Sequence, residues 1–132
     1  MTVVDASAVI ELLLRTPLGD RCTERLLDAR VHPCAPHLLD VEVTQVLHRY
    51  AREGLLTPER GQEALRDLLD LPLARYPHTP LVGRMWELRD VLSAYDAAYV
   101  ALAEALDAPL ITCDERITRA PLHRARVEVM EA

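Results

Sequence analysis

Two aspartates stand 18 residues apart in residues 93–117, SAYDAAYVALAEALDAPLITCDERI. Asp96 falls in what reads as the first turn of a helix, and Asp114 just past a short apolar strand. In a parallel α/β unit, helix starts and strand ends lie along one edge of the sheet, so both carboxylates face one cleft. Asp5 ends another short apolar run, residues 2–5, and Glu42 flanks an apolar helical stripe beside Leu39 and Val46. Carboxylates held within a few ångströms cannot all stay ionised unless a cation neutralises them. Acids without Cys or His suit hard cations, Mg2+ or Mn2+. Such cations, held by few carboxylates and shared with substrate phosphate, serve phosphoryl-transfer chemistry.

Each acid also has a structural account of its own. Asp5 and Asp114 can cap the helices that follow them. Ser93-Ala-Tyr-Asp96 has the spacing of a capping box, and an acid in a first turn suits the helix dipole. Glu42 can be a boundary residue with its head in water. Their joint placement at strand ends and helix starts is what points to a site.

The elements that must position these acids follow from the chain order. Residues 2–5 read as a buried strand. A helix carries Val9, Ile10, Leu13 and Leu14 and is closed by Pro17; a second runs over 19–29 with Cys22, Leu26 and Ala29 on one stripe. Residues 31–35 read as a strand bounded by Pro36. A helix over 38–53 carries Leu39, Val43, Val46, Leu47 and Tyr50, with Gly54 at its end. Thr57-Pro58 opens the next helix, with Leu65, Leu68 and Leu69 inward, and the two make an αα-hairpin. Residues 73–76 form a weak strand. Thr79-Pro80 repeats the cap-and-proline start and opens a helix reaching Leu88. The helix from Ser93 carries Tyr95, Tyr99, Leu102 and Leu106. Residues 110–112 are a strand, a helical turn follows Asp114, and 127–129 form an edge strand. Short apolar strands alternating with helices make an α/β domain with a mainly parallel sheet.

The 132 residues fit a single domain, 1–132. No apolar run reaches transmembrane length, and no signal segment precedes MTVVDAS, so a soluble, non-secreted, cytoplasmic protein is expected. Three cysteines without a C-x-x-C spacing argue against a disulfide framework or a zinc knuckle. A net charge of −6 argues against a coat of non-specific nucleic-acid contacts, which rests on basic surface. It leaves room for an enzyme that meets nucleic acid through metal ions.

Missing residues narrow the chemistry. All 15 basic residues are arginine. A receiver domain or a haloacid-dehalogenase-type phosphatase needs a lysine, and a Walker-A loop needs G-K-[ST]. Four glycines, at 19, 54, 61 and 83, cannot make G-x-G-x-x-G. What remains is metal-dependent hydrolysis of a phosphodiester by water.

VVDAS at the start, an acid after Leu38-Leu39-Asp40-Val41, and YDAAYVALAEALDAPLITCDERI together resemble the PIN-domain ribonucleases, and more narrowly the VapC toxins of bacterial toxin–antitoxin pairs. The likeness runs through nearly the whole chain in order. It implies a PIN-like three-layer α/β/α fold around a five-stranded sheet. It implies Asp5, Glu42, Asp96 and Asp114 as the catalytic, metal-binding acids, with Ser7 and Thr112 in support. It also implies Mg2+- or Mn2+-dependent endonucleolytic cleavage of RNA, a small cognate antitoxin as partner, a homodimer, and toxin–antitoxin hetero-oligomers. Gln45 and Val91 stand where many relatives carry asparagine.

On this reading a metal-activated water attacks phosphorus in line, leaving a 5′-phosphate and a 3′-hydroxyl. Arg89 and Arg116, each close in sequence to a site acid, are the candidate contacts to RNA phosphates. Two other functions compete: a housekeeping RNA-processing nuclease on the same fold, and a catalytically inactive protein-binding module.

Overall fold

The computed structural model describes residues 1–131. Five strands, β1 (Thr2–Val4), β2 (Pro33–Pro36), β3 (Ala74–Tyr76), β4 (Leu110–Thr112) and β5 (Val127–Val129), form one sheet in the order β3-β2-β1-β4-β5. Every neighbouring pair is parallel, so the sheet is wholly rather than mainly parallel. The helices are α1 (Ala6–Leu14), α2 (Pro17–Leu26), α3 (Leu38–Arg52), α4 (Pro58–Asp70), α5 (Val82–Glu87), α6 (Ala94–Leu106) and α7 (Arg116–Arg119). None is long and apolar enough to cross a membrane.

The chain steps outward from β1 through β2 to β3, then returns past β1 to β4 and steps out to β5. Right-handed crossovers running in opposite directions put their helices on opposite faces of the sheet, giving α/β/α layers. The strand order therefore reverses at the seam between β1 and β4, where ligands bind in open α/β sheets. Val3 pairs with Leu110 and Val4 with Ile111 across that seam, so both strands stop at about the same level. β1 and β4 are buried at every residue, as central strands covered on both faces must be.

The α6 sequence explains its depth. Ala97 through Ala103 are all buried, four alanines letting the helix sit close against its neighbours. A helix that is apolar all round belongs in the core. The expected stripe fails at Tyr95, which is 60% exposed at the outer side of the first turn. Leu69 also faces out, at 73%; the inner face of α4 is Gly61, Ala64 and Leu68, because small residues allow close approach.

Four element boundaries differ from the sequence reading. Pro17 does not close the first helix but opens the second: Thr16 caps α2 through the Gly19 N–H, and α1 ends on Arg15 in the left-handed region at φ 56. α2 stops at Leu26, so Ala29 lies outside it and is exposed. β2 includes Pro36 and begins at Pro33, with its ladder running to β3. Residues 79–81 form a 3-10 turn without a side-chain cap, and α5 starts only at Val82. Thr57 with Pro58, and Ser93 with Asp96, cap α4 and α6 as their sequences indicate. Gly19 is required where it stands: a Cβ there would lie 1.8 Å from the Glu11 carbonyl oxygen, so only glycine lets α2 cross α1 this closely.

Candidate active site

Asp5 is the residue after β1 and caps α1, accepting the Ala8 N–H at Oδ1. Asp114 stands two residues past the end of β4 and accepts the Arg116 N–H that begins the next turn. Asp96 lies in the first turn of α6, its N–H donating to Ser93 Oγ at 3.1 Å. Glu42 lies in the second turn of α3, just past β2. These are four structural positions at one sheet edge, and all four acids line one open cavity of about 450 Å³ beside the β1–β4 seam. Asp5 and Asp114 each combine a local backbone hydrogen bond with a place on the shared cavity.

Asp5 is the buried member, 6% exposed. Ser7 Oγ donates to its Oδ1 at 2.6 Å, and Thr112 Oγ1 donates to its Oδ2 at 2.5 Å. Each hydroxyl also accepts a backbone N–H from the β4 exit, Cys113 to Ser7 at 2.9 Å and Asp114 to Thr112 at 3.0 Å. The two hydroxyls therefore tie the ends of β1 and β4 together around one carboxylate. Burial holds the Asp5 carboxyl above its ordinary pKa, against the pull of these donors, and Asp96 adds to the rise.

Burial also raises Glu42, which accepts the Tyr99 hydroxyl at 2.5 Å and feels Asp96 and Asp5. Burial raises Asp96, with the Asp114 charge adding to it. Asp114 goes the other way: Arg116 donates to both of its oxygens at 2.5–3.0 Å and holds it below the usual carboxylate range. Asp5, Glu11, Glu42, Asp96 and Asp114 thus line the cavity against two guanidiniums, Arg49 and Arg116.

As the side chains stand, no three of the described His, Cys, Asp and Glu residues converge closely enough to hold a metal ion. The reason lies in the partners just named. Asp5 is engaged by two hydroxyls, Glu42 by a phenol and Asp114 by an arginine, and like charges keep the rest apart. The donor chemistry nonetheless suits a hard divalent cation: oxygen ligands, an excess of carboxylates, and three acids whose ionisation is held back by burial and, secondarily, by neighbouring carboxylates.

Arg116 lines the cavity, but Arg89 does not. The Arg89 guanidinium lies over the Trp86 ring, 4.6 Å from its centroid, and donates to the Trp86 carbonyl. Tyr99, Arg49, Glu11 and Cys113 are cavity residues that the sequence reading did not assign. Tyr99 was visible only as a member of an apolar stripe. Arg49 carries a readable signal, since it stands seven residues after Glu42 and so on the same face of α3.

Comparison with known proteins agrees with this architecture. The PIN domain family matches residues 2–122. Ribonuclease VapC12 of Mycobacterium tuberculosis is 40% identical over 130 residues, covering 98% of this chain and 99% of the relative. Ribonuclease VapC9 of the same organism is 44% identical over 119 residues, covering 89% of each. Among solved structures, VapBC2 from Rickettsia felis, bound to a DNA fragment from its promoter, superposes with a TM-score of 0.73 over 98% of both chains at 14% identity.

Proposed function

The chain belongs to the PIN-domain family, and from that premise we propose that it is a divalent-metal-dependent RNA endonuclease, the toxin of a toxin–antitoxin pair. The observation that carries the reading is the gathering of Asp5, Glu42, Asp96 and Asp114 in one open cavity at the strand-order reversal. Full-length likeness to proteins named ribonucleases supports the substrate class.

Asp5, Asp96 and Asp114 would hold Mg2+ or Mn2+, with Glu42 completing the site directly or through water. The bound cation supplies a Lewis acid that lowers the pKa of an attacking water and offsets charge on the phosphate. The chain's own contribution is orientation. Ser7 and Thr112 fix the Asp5 carboxylate, and Tyr99 fixes Glu42. Arg116, once off Asp114, and Arg49 at the same cavity are the groups that pair with RNA phosphates; Arg89 lies outside it. An excess of carboxylates repels RNA until cations enter, so cation binding and substrate binding are coupled.

The partner in this reading is a small cognate antitoxin, with homodimers and toxin–antitoxin hetero-oligomers as the assemblies and the cytoplasm as the place of action. Residues 1–132 make up one PIN domain.

The test is incubation of total bacterial RNA with Mg2+, Mn2+ or EDTA, using the wild type beside Asp96→Asn. Discrete fragments with 5′-phosphate ends are expected, lost with EDTA and with the variant. Cleavage that persists in EDTA, ends carrying a 2′,3′-cyclic phosphate, or intact RNA in every metal would overturn the reading.

A further inference from the structure

Cys22 on α2 and Cys113 at the exit of β4 are 91 residues apart in sequence, yet their sulfurs lie 3.8 Å apart. All three cysteines are free thiols. Cys22 is fully buried, while Cys113 is part-exposed and lines the acid cavity. Cys34, buried on β2, shares no sulfur contact like theirs among the hydrogen bonds of the described residues and serves as an internal control. We propose that Cys22 and Cys113 are a peroxide-reactive pair that closes into a disulfide and, in closing, unseats the acid cavity. This deepens the nuclease reading above by adding a regulatory modification to the same site.

The chemistry is balanced with hydrogen peroxide as oxidant. Cys113, the accessible sulfur, attacks one peroxide oxygen as its thiolate; the O–O bond breaks, the departing hydroxide takes up the thiol proton and leaves as water, and Cys113 becomes a sulfenic acid. The Cys22 sulfur then attacks the Cys113 sulfur. The S–O bond breaks, and the second water carries away the Cys22 proton. Two thiols lose two electrons and two protons, and the peroxide takes both up as it is reduced to two waters. Access sets this order against acidity: the hydrogen bond to Cys22, burial and the charges of Asp5 and Glu11 hold the Cys113 thiol up and slow the first step, but peroxide reaches the cavity-lining sulfur and the buried one resolves it.

The structure also indicates which side must move. Closing the sulfurs to a bond length of about 2.05 Å requires a shift well beyond thermal contact. Cys22 is held by its helix: Thr16 caps it, Gly19 presses against the Glu11 backbone, and Arg25 makes a two-oxygen pair with Glu128 on β5. Cys113 stands on the loop between Thr112 and Asp114, its N–H donating to Ser7 Oγ. The loop yields, and the two backbone N–H donations into Ser7 and Thr112 are the bonds that go. Those bonds fix the exit of β4 against Asp5.

The experiment treats the reduced full chain with a few equivalents of hydrogen peroxide, denatures it and labels free thiols with a maleimide. Intact mass is expected to fall from three labels to one, with peptide mapping placing the link between Cys22 and Cys113 and the remaining label on Cys34. C22S and C22A, two variants in case one packs poorly, are expected to lose the link and leave a dimedone-trappable sulfenic acid on Cys113. Amide exchange at Cys113 and Asp114 is expected to speed up at least tenfold in the oxidised wild type. RNA cleavage should fall by a similar factor and return with a dithiol. Three labels retained, a link involving Cys34, or unchanged amide exchange in the linked protein would overturn the proposal. Mass and exchange need no RNA, so a chain that cleaves nothing even when reduced would count against the nuclease reading alone.

Discussion

Thr112 Oγ1 donates to Asp5 Oδ2 at 2.5 Å across the β1–β4 seam, and the same oxygen accepts the Asp114 N–H. One hydroxyl thus sets the position of two acids from two strands. Thr112 is completely buried, so nothing but protein answers these groups. Thr112→Val keeps the shape and removes the hydroxyl. It leaves a buried carboxylate short of a donor and a backbone N–H short of an acceptor. The expected cost is about 1–3 kcal/mol in urea-unfolding stability, with RNA cleavage at least tenfold slower. A valine variant as stable and active as the wild type would refute this role.

Tyr99→Phe separates orientation from packing. The ring is buried in the core, and the hydroxyl donates to Glu42 Oε1 at 2.5 Å. Removing the oxygen costs little packing, and Glu42 can turn towards cavity water. Stability should change by less than about 1 kcal/mol, while cleavage slows several-fold through misplacement of Glu42. Glu42→Gln combined with Tyr99→Phe should be no slower than Glu42→Gln alone, since the phenol acts through that carboxylate. Additive losses in this double-mutant cycle would sink the assignment.

The placement of the acids was legible from sequence because strand ends and helix starts share an edge in any parallel α/β sheet. Asp5, Asp96 and Asp114 each follow from that rule alone. The networks around them were not. The family resemblance pointed to Ser7 and Thr112 but not to what they touch, and Tyr99 read only as core; the Cys113–Ser7, Thr112–Asp5 and Tyr99–Glu42 contacts span 57 to 107 residues of chain, which no local pattern encodes. Thr16-Pro17 carried the same cap-and-proline signature as Thr57-Pro58, but a proline after an apolar helix reads equally well as its terminator. The Gly19 approach to α1 decides between them in three dimensions. Arg89 was near Asp96 in sequence only; Trp86 offers its guanidinium an aromatic face three residues away.

Asp96→Asn should stabilise the metal-free protein while abolishing cleavage. Burial and the Asp114 charge raise the Asp96 pKa from its ordinary 3.8. The folded state therefore holds this proton to higher pH than the unfolded chain does. Its favourable contribution is complete below the unfolded pKa and is lost as pH rises through the folded one. The gain in Tm of the asparagine variant over the wild type should accordingly grow from about pH 4 towards neutrality, reaching roughly 1–3 °C. Saturating Mg2+ should shrink the gap by supplying the missing positive charge. A gap that is constant with pH would exclude ionisation of the part-buried Asp96 carboxyl as its origin.

Glu104 gives the opposite sign at a distance from the cavity. Its side chain is 5% exposed, pairs with Arg84 at 2.8 and 3.0 Å, and accepts the Arg124 N–H at 2.7 Å. The Arg84 bond holds its pKa below the ordinary 4.5. Stability from this pair is present above the unfolded pKa and lost as pH falls through the folded one. Glu104→Gln should cost about 1–2 kcal/mol at pH 7, and chemical denaturation should find the deficit fading below pH 4. Cleavage should be untouched, because Glu104 lies outside the cavity.

A divalent cation held by Asp114 would compete with Arg116 for the same oxygens. Its guanidinium engages both oxygens of Asp114, with distances of 2.5–3.0 Å. A carboxylate chelating a guanidinium in this way has little left for a metal, so loading the site requires the pair to open. Arg116 itself is largely exposed, so the opening is cheap on its side. Arg116→Ala should therefore lower the Mn2+ concentration for half-maximal binding several-fold, measured by calorimetry without RNA. The same change removes a phosphate partner, so the KM for RNA should rise even as the metal requirement falls. The opposed shifts distinguish a displaceable latch from a simple surface ion pair, which would move neither, and from a purely RNA-binding arginine, which would move only the KM.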